Sequence, residues 1–155
     1  MNLDLYLTVL IPVYNEEKNI ASAVKIISDK LVSLNCTFEI LIIDDCSIDQ
    51  TLNIIKKLMM FNPAIRFYQH LKNRGPGTGI VTGTMRSRGR FIIFIPADLA
   101  MDIDCLSSFL EASKNADVII GLRSDRRDYS LFRKFISVTN IFAIKFLFAM
   151  PYKQF

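Results

Sequence analysis

Three cysteines, Cys36, Cys46 and Cys105, and a single histidine are scattered through the 155 residues, the cysteines odd in number, widely spaced and without a CxxC pattern. That spacing argues against a disulfide scaffold and a structural zinc site, and a reducing, cytoplasmic compartment is the expectation. No Lys or Arg precedes the first apolar run and Asp4 interrupts it, unlike a secretory signal. The apolar stretch Ile141 to Met150 contains Lys145 and is too short to span a bilayer. Internal repeats and low-complexity tracts are absent. So is a glycine turn after the first apolar run, where Val13 leads into Tyr14-Asn15-Glu16, and this disfavours a dinucleotide oxidoreductase.

What is present is enough to build a core. Hydrophobic residues make up 51% of the chain and charged residues 22%, so one folded domain is expected. Charge is uneven. Residues 121–155 carry seven Lys or Arg against Asp125 and Asp128, a balance of +5, whereas the whole chain is +4, so the basic excess lies entirely at the C-terminal end.

The runs 7–13 and 39–44 are short, β-branched and almost unbroken, the pattern of strands covered on both faces in a parallel sheet. Between them Ile20, Val24, Ile27 and Leu31 recur at helical spacing behind Asn15-Glu16-Glu17, which offers a cap and an acidic first turn. The unit then repeats. Ser47 or Asp49 can cap a helix through Leu52, Ile55 and Leu58 that closes at Pro63, and residues 65–68 read as a third strand. Residues 91–95 follow a glycine-rich helix as a fourth strand, and 117–121 follow a helix led by Asp104 as a fifth. Alternation of this kind predicts an α/β fold: an open, mostly parallel sheet with helices on both faces and ligands at the carboxyl ends of its strands. From Tyr129 onward Phe and Ile dominate, punctuated by Arg133, Lys134, Lys145 and Lys153, which fits either a helix in a membrane interface or a core helix of a larger domain. The expected division is therefore a ligand-binding α/β domain over 1–128 and an amphipathic segment over 129–155.

Five polar clusters fall at the expected strand ends. Pro12, Tyr14 and Glu16 put an aromatic face and an acceptor where a nucleobase could lie, although Asn15 and Glu16 could simply cap a helix. Asp44 and Asp45 end a buried strand and could accept from a base N–H and ribose hydroxyls; adjacent carboxylates repel and need a reason to coexist. Asn73-Arg74-Gly75-Pro76-Gly77-Thr78-Gly79 is weak as a phosphate cradle, its spacing being wrong for a dinucleotide fingerprint. Gly83 and Gly89 suit close packing against the sheet. Asp98 emerges from an otherwise apolar strand and could hold Mg²⁺ or Mn²⁺ against a diphosphate. Arg123 and Arg133, with Arg126 and Arg127, suit phosphate binding or plain surface charge.

Taken in order, IPVYNEE, LIIDDCSIDQT, NRGPGTG, ADL and GLRSDRRD resemble the family-2 glycosyltransferases of the type A fold, in flavour those that glycosylate dolichol or polyprenyl phosphate. The resemblance covers about residues 8–140 and rests on the ordered set. It implies that Pro12, Tyr14 and Glu16 lie against the base, with Asp44 and Asp45 completing the nucleotide site. Asp98 is implied as the catalytic and metal-binding residue, and Arg123 and Arg133 as phosphate ligands. The implied partners are a nucleotide-diphosphate sugar, a polyprenyl phosphate and a membrane surface at its cytoplasmic face, with no nucleic acid; the implied cofactor is Mg²⁺ or Mn²⁺. The implied reaction is an inverting sugar transfer, the alternative being a nucleotide-binding module without transfer activity. Two departures stand out. Pro96-Ala97-Asp98 replaces the usual Asp-x-Asp, and Ala100 stands where a Gln is common, which leaves Asp98 as the one clear metal ligand. Relatives also continue beyond the position of Phe155, so a fragment is expected.

Overall fold

The computed structural model describes residues 5–121. Four strands, β1 (Leu7–Val13), β2 (Phe38–Asp44), β3 (Ile65–Gln69) and β4 (Phe91–Phe94), form one sheet in the order β3-β2-β1-β4 with every neighbouring pair parallel. The register pairs Val13 with Asp44, and Asp44 with Gln69, so three strand tips finish level. Helices α1 (Ile20–Ser33), α2 (Thr51–Phe61) and α3 (Pro76–Arg86) supply the crossovers, and α4 (Leu106–Ala112) follows β4.

Strand alternation sorts the core into two layers. Val9, Ile11, Ile40 and Ile42 pack with Ile20, Val24, Ile27 and Leu31 of α1, Ile55 of α2 and Leu106 of α4. On the opposite face Leu10, Leu41 and Ile43 form a smaller cluster. There α3 comes unusually close: a Cβ built on Gly83 would lie 2.1 Å from Leu10 Cδ1, and one on Gly79 would lie 3.1 Å from Pro12 Cβ. Gly79 and Gly83 of α3 are thus packing positions, as the sequence predicts for Gly83.

Three expectations are corrected. Residues 117–121 form no strand, with Val118 and Ile120 largely exposed; an apolar run becomes a strand only where a neighbour accepts its ladder bonds. The helix after β1 starts at Ile20, not at Asn15, because the Asn15 and Glu17 side chains and the Glu16 backbone N–H are engaged with the loop before α2 and the head of α2. The turn before α4 is a short 3-10 segment, Ile103–Cys105, held by the Asp102 carboxylate accepting from Asp104 N–H, while the Asp104 side chain reaches Lys30 Nζ at 2.6 Å. Among the described residues no helix is long and apolar enough to cross a membrane. The 128/129 boundary, the 129–155 segment, Arg123, Arg126, Arg127 and Arg133 lie outside the described residues.

Candidate functional site

The sheet order changes direction between β1 and β4, since β2 and β3 lie to one side of β1 and β4 to the other. A crevice opens at the carboxyl ends of strands at such a switch point. Pro12, Tyr14, Glu16, Asp44, Asp45 and Asp98 all lie at that end of the sheet.

The β1 and β2 tips are stitched together by reciprocal bonds. Asn15 N–H donates to Ser47 Oγ and Ile48 N–H to Asn15 Oδ1, each at 2.9 Å. Glu16 N–H donates to Thr51 Oγ1 at 2.8 Å and Glu17 N–H to Asp49 Oδ2 at 3.2 Å, while Gln50 N–H returns to Glu17 Oε2 at 3.0 Å. Asn15 and Cys46 adopt positive φ, 57° and 65°, to make this possible. Asp49 also accepts from Thr51 N–H at the head of α2, although the cap position belongs to Gln50, whose side chain makes no cap bond. These residues shape the cleft and are used up in doing so. Tyr14 remains 44% exposed, and Glu16, one oxygen of which accepts from Asn19 Nδ2, keeps its second oxygen open among the described residues.

The two aspartates coexist by serving different partners. Asp44 is buried, with Oδ1 accepting from Ser47 N–H at 3.2 Å; its Oδ2 is the buried side-chain atom without a hydrogen-bond partner among the described residues. Asp45 is also buried, and its carboxylate accepts from His70 Nδ1 at 2.6 Å, from Arg74 N–H at 3.0 Å to both oxygens, and from Gly75 N–H at 2.7 Å. Burial pushes its pKa up, but the bonds from His70, Arg74 and Gly75 outweigh that and hold it below the usual carboxylate range. A carboxylate has about four lone-pair positions, and these bonds direct those of Asp45 to His70 and the glycine-rich loop. His70, absent from the sequence-based candidates, is the residue that sequence reasoning missed; a lone histidine just past a strand carries no spacing signal.

Asp98 is exposed beyond β4, with Oδ1 accepting from Ala100 N–H at 3.1 Å and Leu99 held at φ 51°. Among the described residues no group of three or more His, Cys, Asp or Glu is placed to hold a metal ion. One exposed carboxylate with an open oxygen fits Mg²⁺ or Mn²⁺ only when a diphosphate and water supply the other ligands, a mode those hard ions commonly use.

With this geometry in place, the family is plain: the chain belongs to glycosyl transferase family 2, whose model matches residues 8–152. It is 30% identical over 150 residues to a dolichyl-phosphate beta-glucosyltransferase of Dictyostelium discoideum, covering 89% of this chain and 46% of that protein. It is 31% identical over 134 residues to a dodecaprenyl-phosphate galacturonate synthase of Rhizobium johnstonii, covering 84% of this chain and 39% of the relative. The chain therefore spans less than half the length of either relative. A mannosyltransferase from Pyrobaculum calidifontis, solved with GDP-Man and Mn²⁺, shares the fold with a TM-score of 0.60 at 21% identity, over 68% of this chain and 31% of that one.

Proposed function

We propose that this chain forms the donor-binding part of an inverting glycosyltransferase that moves a sugar from a nucleotide diphosphate to a polyprenyl phosphate at the cytoplasmic face of a membrane. The observation that carries the reading is the gathering of Tyr14, Glu16, Asp44, Asp45 and Asp98 at the carboxyl ends of β1, β2 and β4, around the switch point of the sheet. Pro12 and Tyr14 offer the base an apolar and aromatic wall and Glu16 an acceptor. Asp44 and Asp45 set the charge of the β2 tip from beneath the surface. The names of the curated relatives, which act on dolichyl and dodecaprenyl phosphates, support the acceptor class.

In the transfer an acceptor phosphate oxygen forms the new bond to the anomeric carbon, while the bond to the diphosphate breaks and its electron pair leaves with the diphosphate. An ionised phosphate acceptor needs no general base, so positioning and charge neutralisation carry the step. Asp98 would hold Mg²⁺ or Mn²⁺, which supplies neutralisation of diphosphate charge when bound. Arg123 and Arg133 are proposed to meet phosphates.

Calorimetric titration with UDP-, GDP- and CMP-sugars, with and without Mn²⁺, tests the reading. One donor should bind, Mn²⁺ should tighten it, and Asp98→Asn should remove the tightening. Equal enhancement in both proteins would remove Asp98 from the mechanism. The presence of a single carboxylate at the β4 tip favours a second reading, a nucleotide-binding module without transfer; donor-dependent formation of glycosylated polyprenyl phosphate separates the two.

A further inference from the structure

We propose that His70 is a positioning residue for the nucleotide site, acting through the Asp45 carboxylate to fix the Asn73-Arg74-Gly75 backbone at the entry to α3. The inference rests on the donor-binding reading above. His70 follows β3 and is 4% exposed, and both ring nitrogens are engaged: Nδ1 lies 2.6 Å from Asp45 Oδ1 and Nε2 lies 2.9 Å from Thr82 Oγ1 on α3. Asp45 being an acceptor, Nδ1 is the protonated nitrogen, and in the neutral ring the Thr82 hydroxyl donates to Nε2.

This arrangement is more than core filling. The pair borders an open groove of about 350 Å³ lined by Tyr68, Arg74, Thr82, Met85 and Arg86, so apolar packing alone does not confine the imidazole. The His70 donor leaves Asp45 the geometry to take both Arg74 N–H and Gly75 N–H, and Gly75 is held there at φ 83°. Without the ring, the carboxylate regains a lone pair and a rotamer, and the two amides lose a fixed acceptor. The loop leads directly into the first turn of α3, where Gly79 packs on Pro12. Displacement of residues 73–75 is thereby passed to the wall assigned to the base. Asp45, buried and saturated, then serves the ligand by holding this loop.

The test uses the full chain and its His70→Ala and His70→Asn variants. The Asn amide can donate from near the position of Nδ1. Two measurements are made: hydrogen exchange of the Arg74 and Gly75 amides without ligand, and calorimetric affinity for UDP and GDP with Mn²⁺. His70→Ala should speed exchange of both amides and weaken nucleotide binding by about tenfold or more, and His70→Asn should restore both to within about threefold. Unchanged amides in His70→Ala overturn the proposal, as do opened amides with unchanged affinity, or His70→Asn that melts like wild type yet binds like His70→Ala. Should His70→Ala not fold, Thr82→Val, which strips Nε2 of its partner, must loosen the same two amides for the proposal to stand. A wild-type chain that binds none of the UDP-, GDP- and CMP-sugars sinks the donor-binding reading itself, and amide exchange then still decides whether His70 holds the loop.

Discussion

A side chain at left-handed φ costs roughly 1–2 kcal/mol, whereas replacing it by glycine costs roughly 0.5–1 kcal/mol in unfolded-state entropy. At Cys46, φ 65°, the first quantity exceeds the second, and the side chain gives back only a weak contact from Sγ to Leu71 C=O at 3.7 Å. Cys46→Gly is therefore expected to raise stability by on the order of 0.5–1 kcal/mol in urea denaturation. A loss would mean that the sulfur contact matters more than the backbone. Cys36 and Cys105 are less reactive than a free thiol. Burial pushes the Cys36 pKa up, and burial together with Asp102 and Asp104 does the same for Cys105.

At the scale of elements, the glycines divide by what surrounds them. A Cβ on Gly89 would lie 2.4 Å from Thr8 N and 2.6 Å from Leu7 C, backbone atoms of the strand at the centre of the sheet. Gly77, in the first turn of α3, has nothing within 4 Å. Gly89→Ala should accordingly destabilise by about 3 kcal/mol, and Gly77→Ala should stabilise by up to about 0.5–1 kcal/mol through helix propensity. Equal effects in thermal denaturation would contradict the packing of the turn before β4 on β1. Gly83→Ala falls between, because the atoms it meets belong to the Leu10 side chain and can give slightly.

The same scale shows what the sequence could and could not disclose. Strands β1 and β2 were legible from their β-branched, almost unbroken runs, β3 and β4 from their places after the Pro63 stop and the glycine-rich helix, and the helical faces of α1 and α2 from the spacing of Ile20, Val24, Ile27, Leu31 and Ile55. The parallel order followed from short alternating connections. What stayed hidden were side-chain destinations set by tertiary contacts. Asn15 looks like a cap and instead accepts from Ile48 N–H; the bonds from the Arg74 and Gly75 N–H groups to Asp45 have no sequence signal. His70 is 25 residues from Asp45 and no local pattern links them. Residues 117–121 have the composition of a strand, but composition carries no information about a neighbour.

For the whole molecule, two buried carboxylates tie the sheet to its crossovers at opposite ends, and both make stability depend on pH. Asp45 does so at the carboxyl end. At the amino end Glu39, 4% exposed, accepts from Thr8 Oγ1 at 2.7 Å, Arg88 N–H at 2.8 Å and Arg66 Nη1 at 2.6 Å, joining β1, β2, β3 and the turn before β4. Burial pushes the Glu39 pKa up, but the bonds from Arg66, Thr8 and Arg88 and the charge of Arg66 outweigh it and the net shift is downward. Asp49 is likewise depressed, its burial outweighed by the bonds from Thr51 and Glu17. In each case the unfolded chain takes up its proton at a higher pH than the folded one, so the unfolded state binds more protons in the intervening window and stability rises with pH there. The contribution is complete above about pH 5 and is lost as pH falls below about 4, from ordinary carboxylate values down through the depressed folded ones. Urea denaturation at pH 7, 5, 4 and 3 should show a plateau and then a fall. Glu39→Gln keeps the shape of the side chain but cannot ionise, so it should start less stable and fall less steeply between pH 5 and 3. A wild-type curve that stays flat to pH 3, or a Glu39→Gln curve parallel to it, would show that the Thr8, Arg66 and Arg88 bonds do not favour the ionised carboxylate.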